Sequence, residues 1–197
     1  MSKIYYIMGK SSAGKDTIYK ELLKNGSVKF NTVVGYTTRP MREGESHGRE
    51  YYFVTEEDME NMEKQGIIIE KRTYDTIYGK WNYFTAYDEQ FKKEDGNLLI
   101  IGTLESYKKI REFFGEDKVV PIYIYVEDGQ RLLRALNREM QQKEPKYAEM
   151  CRRFLADEKD FSKDIIEELG IKKQFENNDE KKCLDEIIEY VKRTMKM

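Results

Sequence analysis

The chain has 197 residues, 39% hydrophobic and 37% charged, with a formal net charge of −2. That length suits one domain with a real core. The near-even charge balance leaves no dominant basic stripe, so duplex nucleic acid is excluded as the main partner. No apolar run reaches membrane-spanning length and no signal-peptide pattern opens the chain, so a cytoplasmic protein is expected. Cys151 and Cys183 lie far apart without C-x-x-C spacing and read as thiols of a reducing compartment. His47 is the one histidine, which excludes a His-based triad or a histidine metal cluster.

The apolar run Ile4 to Met8 predicts a strand, and Gly9-Lys10-Ser11-Ser12-Ala13-Gly14-Lys15-Asp16-Thr17 follows it. A strand, a glycine-bounded turn and a helix form the context of a phosphate-binding loop. In such a loop successive backbone N–H groups face one concavity, and the helix adds its positive N-terminal end. Gly9 and Gly14 allow backbone angles that a Cβ forbids, and Lys15 supplies a cation for the outer phosphates. The pattern G-x-x-x-x-G-K-[ST] is met except at its last position, where Asp16 stands and Thr17 follows.

Thr17 to Leu23 predicts a helix closed by Asn25-Gly26, and Phe30 to Tyr36 a short strand. Thr37 to Gly48, with Pro40, Gly44 and Gly48, predicts a loop-rich insertion. Tyr51 to Val54 resumes strand character. Thr55-Glu56-Glu57-Asp58 matches a capping box opening a helix that Gly66 closes. Further strands are expected over Ile67 to Lys71 and roughly Tyr83 to Thr85, then a helix over Tyr87 to Lys93. The continuous apolar run Leu98 to Ile101 predicts a strand buried on both faces of a parallel sheet. A helix from about Glu105 to Phe114 and a buried strand over Val119 to Val126 follow. Gln130 to Glu168 reads as mostly helical, interrupted at Pro145 by a mobile connection. Leu184, Ile187, Ile188 and Val191 place a final amphipathic helix over Leu184 to Met195. Strands alternating with helices predict a three-layer α/β fold around a parallel sheet, with an inserted mixed subdomain over about 34–85.

That insertion holds Tyr36-Thr37-Thr38-Arg39-Pro40-Met41-Arg42-Glu43-Gly44-Glu45-Ser46-His47-Gly48-Arg49-Glu50-Tyr51-Tyr52-Phe53. Two arginines three apart and a tyrosine nine residues on suit a phosphate clamp, because the guanidinium is a planar donor fork. The bland alternative is a charged surface loop.

The stretch resembles the guanylate kinase family at Thr37, Thr38, Arg39, Arg42, Gly44, Glu45, Gly48, Tyr51 and Phe53, and the resemblance runs from the first strand to the last helix. It implies a P-loop kinase fold in which the γ-phosphate of ATP, with Mg²⁺, moves to GMP or dGMP. It implies that Arg39, Arg42, Tyr51 and Tyr78 hold the acceptor phosphate, that Glu45 orients the arginines, and that Glu70 bonds the guanine. Arg134, Arg138 and Arg153 match lid arginines that close over the transferring phosphate, with a solvated helix face as the alternative. Asn177-Asn178-Asp179 resembles the family's turn beside the adenine. The donor site would comprise Gly9, Ser11, Ser12, Ala13, Gly14, Lys15, Asp16, Thr17 and Asn177. The implied division is a core of 1–33, 86–133 and 155–197, an acceptor-binding insertion of about 34–85 and a lid of about 134–154.

Four positions depart from the family. Gly35 replaces a serine that contacts the base, and Lys80 stands where serine or threonine is usual. Gly102-Thr103-Leu104 replaces an aspartate pair, and Asp16 replaces the serine that reaches Mg²⁺. The same departures resemble ribose 1,5-bisphosphate phosphokinase, in which case Lys80 would serve a second phosphate; that family lacks the R-x-x-R-x-G-E clamp. A non-catalytic guanylate-kinase-like protein-binding module is the other alternative, although Gly14, Lys15 and the lid arginines stand. The expected metal contacts are Asp16, through water, and Thr17. The expected partners are small nucleotides, with no nucleic acid and no membrane, in a monomer or homodimer.

Overall fold

The computed structural model describes residues 2–76, 79–92 and 96–195. The first apolar run forms β1 (Ile4–Met8), whose five residues are all buried. Its side chains alternate: Tyr5 and Ile7 enter one core cluster, and Ile4, Tyr6 and Met8 enter another. A strand buried on both faces belongs in mid-sheet. It pairs in parallel with β7 (Asn97–Ile101) on one side and β8 (Val119–Tyr125) on the other. β2 (Phe30–Thr32) lies outside β7 and β9 (Gln174–Glu176) outside β8, which gives the order β2-β7-β1-β8-β9.

Helices cover both faces. α1 (Lys15–Asn25) and α7 (Glu180–Thr194) bring Ile18, Leu22, Cys183, Ile187 and Val191 to the first cluster. α3 (Leu104–Phe114) and the short α6 (Lys163–Glu168) bring Tyr107, Ile110, Ile165 and Ile166 to the second. Each such side chain contributes roughly 1.5–3 kcal/mol on burial. The result is a three-layer α/β fold, as the alternation of elements predicts.

The second sheet takes the order β4-β3-β6-β5, from β3 (Tyr36–Thr37), β4 (Tyr52–Phe53), β5 (Ile68–Thr76) and β6 (Gly79–Ala86). β3 and β4 are parallel and the other pairs antiparallel. α2 (Glu56–Lys64) opens on a capping box: Thr55 Oγ1 accepts the Asp58 N–H at 3.0 Å, and the Asp58 carboxylate accepts the Thr55 N–H at 2.9 Å. Tyr36, Met59, Phe84 and Ala86 make a small separate core.

The chain crosses between the sheets at residues 33–35 and again after Ala86, and the two crossings are clasped. The Gln90 amide accepts the Val34 N–H at 2.8 Å and donates to the Val34 carbonyl at 3.1 Å. The Tyr36 hydroxyl donates to Asp88. Past β8, α4 (Asp128–Met140) and α5 (Tyr147–Asp160) are joined by residues 141–146, which contain Pro145.

Three local expectations are corrected. The strand expected over Phe30 to Tyr36 is broken, because residues 33–35 cross from one sheet to the other. Of the helix expected over Tyr87 to Lys93, the described residues form a turn at 88–91, where Asp88 and Gln90 bond the first crossing instead, and Lys93 lies outside the described residues. β9 was not expected at all; three residues, only Phe175 of them buried, carry too little alternation to stand out.

Candidate active site

The glycine-bounded loop joins the end of β1 to α1. Gly9 lies so close to the Ile124 carbonyl of β8 that a Cβ would collide with it. Gly14 caps α1 in the left-handed region at φ 87°, and the Asn177 side chain fills the space a Cβ would take. The Asn177 side-chain amide donates to the Ala13 carbonyl at 2.8 Å, and the Asn177 backbone carbonyl accepts from Arg134 Nη2 at 2.8 Å. The turn is thus braced from behind by β9 and α4. Ser12 is the one non-glycine residue with positive φ among the described residues, at 63°, and its buried hydroxyl has no partner. Lys15 Nζ folds back to donate to the Lys10 carbonyl at 3.0 Å. Burial holds this ammonium below its ordinary pKa, against the opposing pull of the Asp16 and Asp157 carboxylates.

Above the loop lies an ionic cluster that the sequence did not announce. Arg131, only 1% exposed, donates to the Ser11 carbonyl at 3.2 Å, to Asp157 at 3.1 Å and to Asp128 at 2.8 Å. Its guanidinium also lies over the Phe154 ring, 4.4 Å from the centroid. Lys10 pairs with Glu158 and Asp128. Asp157 accepts the Ser11 N–H at 2.8 Å. α4 and α5 are therefore tied to the loop by charge.

Three cavities surround the loop. A small one of about 250 Å³ is lined by Ser11, Ser12, Arg42, Arg138 and Arg153 among others. A second, of about 780 Å³, is lined by Gly9, Ser11, Lys15, Asp16, Tyr51 and Arg153. A third, of about 820 Å³, opens between the two sheets and is lined by Asp16, Gly35, Tyr51, Arg72, Thr85 and Thr103. The second and third share Asp16, Tyr51, Gly102 and Thr103, so the two adjoin between the loop and the second sheet. Arg153 borders both the first and the second, and shares the first with Arg42, Ser11 and Ser12.

Behind this lining stands a layer of buried ion pairs. Arg39, 4% exposed, donates both Nη groups to Glu45 at 2.7 and 2.6 Å and lies between the Tyr51 and Phe53 rings. Glu45 also accepts the Arg42 N–H at 2.8 Å. The Arg39 guanidinium holds the Glu45 carboxyl at about 2, well below the usual range. In the second sheet, Glu70 accepts from the Thr85 hydroxyl at 2.8 Å and from Arg72 at 3.0 and 3.4 Å. Arg72 Nη1 donates to Thr103 Oγ1 at 3.3 Å, and Thr103 also caps α3 by accepting the Ser106 N–H.

The expected residues thus fall into groups. Gly9, Ser11, Ser12, Lys15, Asp16, Arg42, Tyr51, Arg138 and Arg153 each line at least one of the three cavities. Ala13, Gly14, Asn177 and Arg134 brace the loop from behind, and Arg39, Glu45 and Glu70 stand one layer back. Thr17 is exposed and lines none of the three cavities. Lys80 is also exposed, at the far end of the β5–β6 hairpin opposite Asp75, and lines none of them. Tyr78 lies outside the described residues. Arg72, Arg131 and Asp157 are the residues sequence reasoning missed. Each sits in a run of charges that reads as solvated surface, and no local spacing marks it.

Comparison with known proteins agrees with this geometry. The structure superposes on the crystal structure of guanylate kinase from Anaplasma phagocytophilum with a TM-score of 0.61 at 21% identity, covering 98% of this chain and 85% of that one. The chain is 44% identical over 122 residues to guanylate kinase of Clostridioides difficile, covering 61% of this chain and 55% of the relative. It is 42% identical over 78 residues to guanylate kinase of Clostridium tetani, covering 40% of this chain and 34% of the relative. Over the curated relatives compared, the matched stretch is thus between about a third and two thirds of their length, while the guanylate kinase family model is matched over residues 1–196. With that match over nearly its whole length, the chain belongs to the guanylate kinase family.

Proposed function

We propose that the chain is an ATP-dependent kinase that transfers the γ-phosphate of ATP to GMP or dGMP, giving ADP and GDP or dGDP. The observation that carries this reading is that the cavity over the phosphate-binding loop adjoins the cavity facing the second sheet, with Asp16 and Tyr51 lining both. A donor phosphate seated on the loop and an acceptor phosphate near Tyr51 would meet at that border, and closure over them would exclude water.

The donor fit is supported by the unpartnered Ser12 hydroxyl, which lines the small cavity and has no acceptor of its own. The loop N–H groups and Lys15 would hold the ATP phosphates. Mg²⁺ keeps several waters and needs only one or two protein carboxylates beside substrate phosphates, so Asp16 alone satisfies its demand. The ion, when bound, supplies neutralising charge at the phosphates. Thr17, outside the cavities, takes no part. Arg42, Tyr51 and Tyr78 would seat the acceptor phosphate, with Arg39 and Glu45 fixing the loop that carries them. Arg138 and Arg153 would neutralise charge on the transferring group, and Arg134, bonded to Asn177, would hold α4 in register. Phosphoryl transfer asks for little beyond such positioning and charge stabilisation. In this reading residues 34–85 bind the acceptor, residues 134–154 act as the lid, and the protein works in the cytoplasm as a monomer or homodimer.

The alternative bisphosphate acceptor rests on Gly14-Lys15-Asp16, Gly102-Thr103 and Asn177-Asn178-Asp179, with Lys80 serving the second phosphate; Lys80 lines none of the three cavities. A coupled ADP-release assay over GMP, dGMP, AMP, UMP and ribose 1,5-bisphosphate tests the proposal. Release with GMP or dGMP supports it. Silence with all five points to the binding module, and release with the bisphosphate alone to the other kinase.

A further inference from the structure

We infer that Arg72, positioned by Glu70, is the residue that reads the acceptor base, by donating to the O6 and N7 acceptors of guanine. This rests on the proposed GMP kinase activity and goes beyond it, since the family resemblance assigns base reading to the carboxylate of Glu70.

Glu70 and Arg72 lie two apart on β5, so both side chains leave the same face of the strand. Of the two, the arginine is in front. The Glu70 side chain is 2% exposed and that of Arg72 17%. Arg72 lines the cavity between the sheets and Glu70 does not. Glu70 is also engaged, accepting from the Thr85 hydroxyl and twice from Arg72. A purine edge would have to displace Arg72 to reach it.

Arg72 has donors to spare. A guanidinium carries five N–H groups. Glu70 takes one from Nε and one from Nη2, and Thr103 takes one from Nη1. Among the described residues that leaves one N–H on each Nη unengaged, two donors on one planar group that can serve the acceptors of a planar base. The end of β7 does not neutralise this fork, because Gly102, Thr103 and Leu104 carry no carboxylate. Gly35, across the cavity, offers no side chain to compete for the base. Guanine presents O6 and N7 as adjacent acceptors, whereas adenine turns an amino group toward the same fork. Thr103 and Glu70 together hold the guanidinium plane, so the selectivity lies in one pre-oriented group.

The two assignments oppose each other on two analogues. Inosine monophosphate keeps O6 and N7 but lacks the 2-amino group that a carboxylate would read. 7-Deazaguanosine monophosphate keeps that amino group but lacks N7. The test measures kcat/KM at saturating ATP for GMP and both analogues, with the wild-type chain and Arg72→Lys, which keeps the charge beside Glu70 but loses the fork. The expected result is that wild type uses inosine monophosphate as well as GMP. It should lose about 5- to 150-fold with the 7-deaza analogue, the range for one bidentate base contact. In Arg72→Lys the GMP and 7-deaza values should converge. Equal use of GMP and the 7-deaza analogue by wild type, with inosine monophosphate rejected, would overturn the inference and return base reading to Glu70. If Arg72→Lys melts early, the wild-type comparison decides alone. If wild type does not phosphorylate GMP, the kinase reading fails first and this inference fails with it.

Discussion

The Asp157 carboxylate of α5 accepts a hydrogen bond from the backbone N–H of Ser11 in the phosphate-binding loop, at 2.8 Å. A loop built to bind anions thus already holds one, supplied by its own chain and paired with Arg131. A nucleotide phosphate using that N–H has to displace it, and two anions at one site repel.

Asp157→Ala is therefore expected to tighten ATP binding about tenfold, the worth of one charge-assisted hydrogen bond of roughly 1.5 kcal/mol. Asp128 and Glu158 remain to pair Arg131, so the fold should persist. Titration calorimetry with ATP checks this; equal or weaker affinity would mean that Asp157 shapes the loop for nucleotide instead of competing with it.

Lys15→Met should lower kcat by about 10²–10³-fold while leaving the melting temperature within a few degrees of wild type. The ammonium makes one hydrogen bond, to the Lys10 carbonyl, and stands in no apolar cluster. Loss of one preorganised cation at developing charge costs about 10²–10³ in kcat. A melting point that falls together with activity would mark Lys15 as a structural residue.

Asn177→Ala removes the buried donor to the Ala13 carbonyl and the side chain packed behind Gly14. A destabilisation of about 1–3 kcal/mol is expected in denaturant unfolding, the range for leaving a buried polar group unsatisfied. ATP affinity should fall with it, since the braced turn is the binding surface. Weaker ATP binding at unchanged stability would show instead that Asn177 touches the nucleotide directly.

The acid limb of stability should carry the Glu45 signature. Its carboxyl is lowered from 4.5 to about 2 by the Arg39 guanidinium, so the folded state favours the ionised form. That contribution is complete above about pH 4.5, where the unfolded chain is also ionised, and is lost as pH falls toward 2. Glu45→Gln should be less stable than wild type at neutral pH, and the gap should close across that window. Melting curves from pH 7 to 2 measure it; a gap that stays constant with pH would show that charge is not its source.

Much of this architecture was legible before the structure. β1, β7 and β8 are apolar runs flanked by turn residues, and α2 advertises its start through the Thr55–Asp58 box. The loop was legible because backbone geometry and one lysine define it, and both leave a local mark in sequence. Partnerships across elements were not. Arg131 pairs with Asp157, 26 residues on, and bonds Ser11, 120 residues back. In sequence α4 and α5 are simply charged helices, and only their packing over the loop buries the guanidinium. Glu70 and Arg72 flank Lys71 in one charged run; alternation along β5 puts the pair on one face, but which of the two fronts the cavity depends on the opposing α3. Lys80 stands beside a family motif in sequence, and only the strand register places it opposite Asp75 near the end of the β5–β6 hairpin.

The clasp between the two crossings constrains any rearrangement of the molecule. A panel hung on two separate strands can tilt and twist, but here the strands are pinned to each other by Gln90 on Val34 and by Tyr36 on Asp88. The same sheet is held at a third point, where the Arg72 guanidinium bonds the Thr103 cap of α3 and Ile69 packs into the second core cluster. The Glu70–Arg72 pair is therefore set in place by the first sheet's own helix as well as by its strand neighbours.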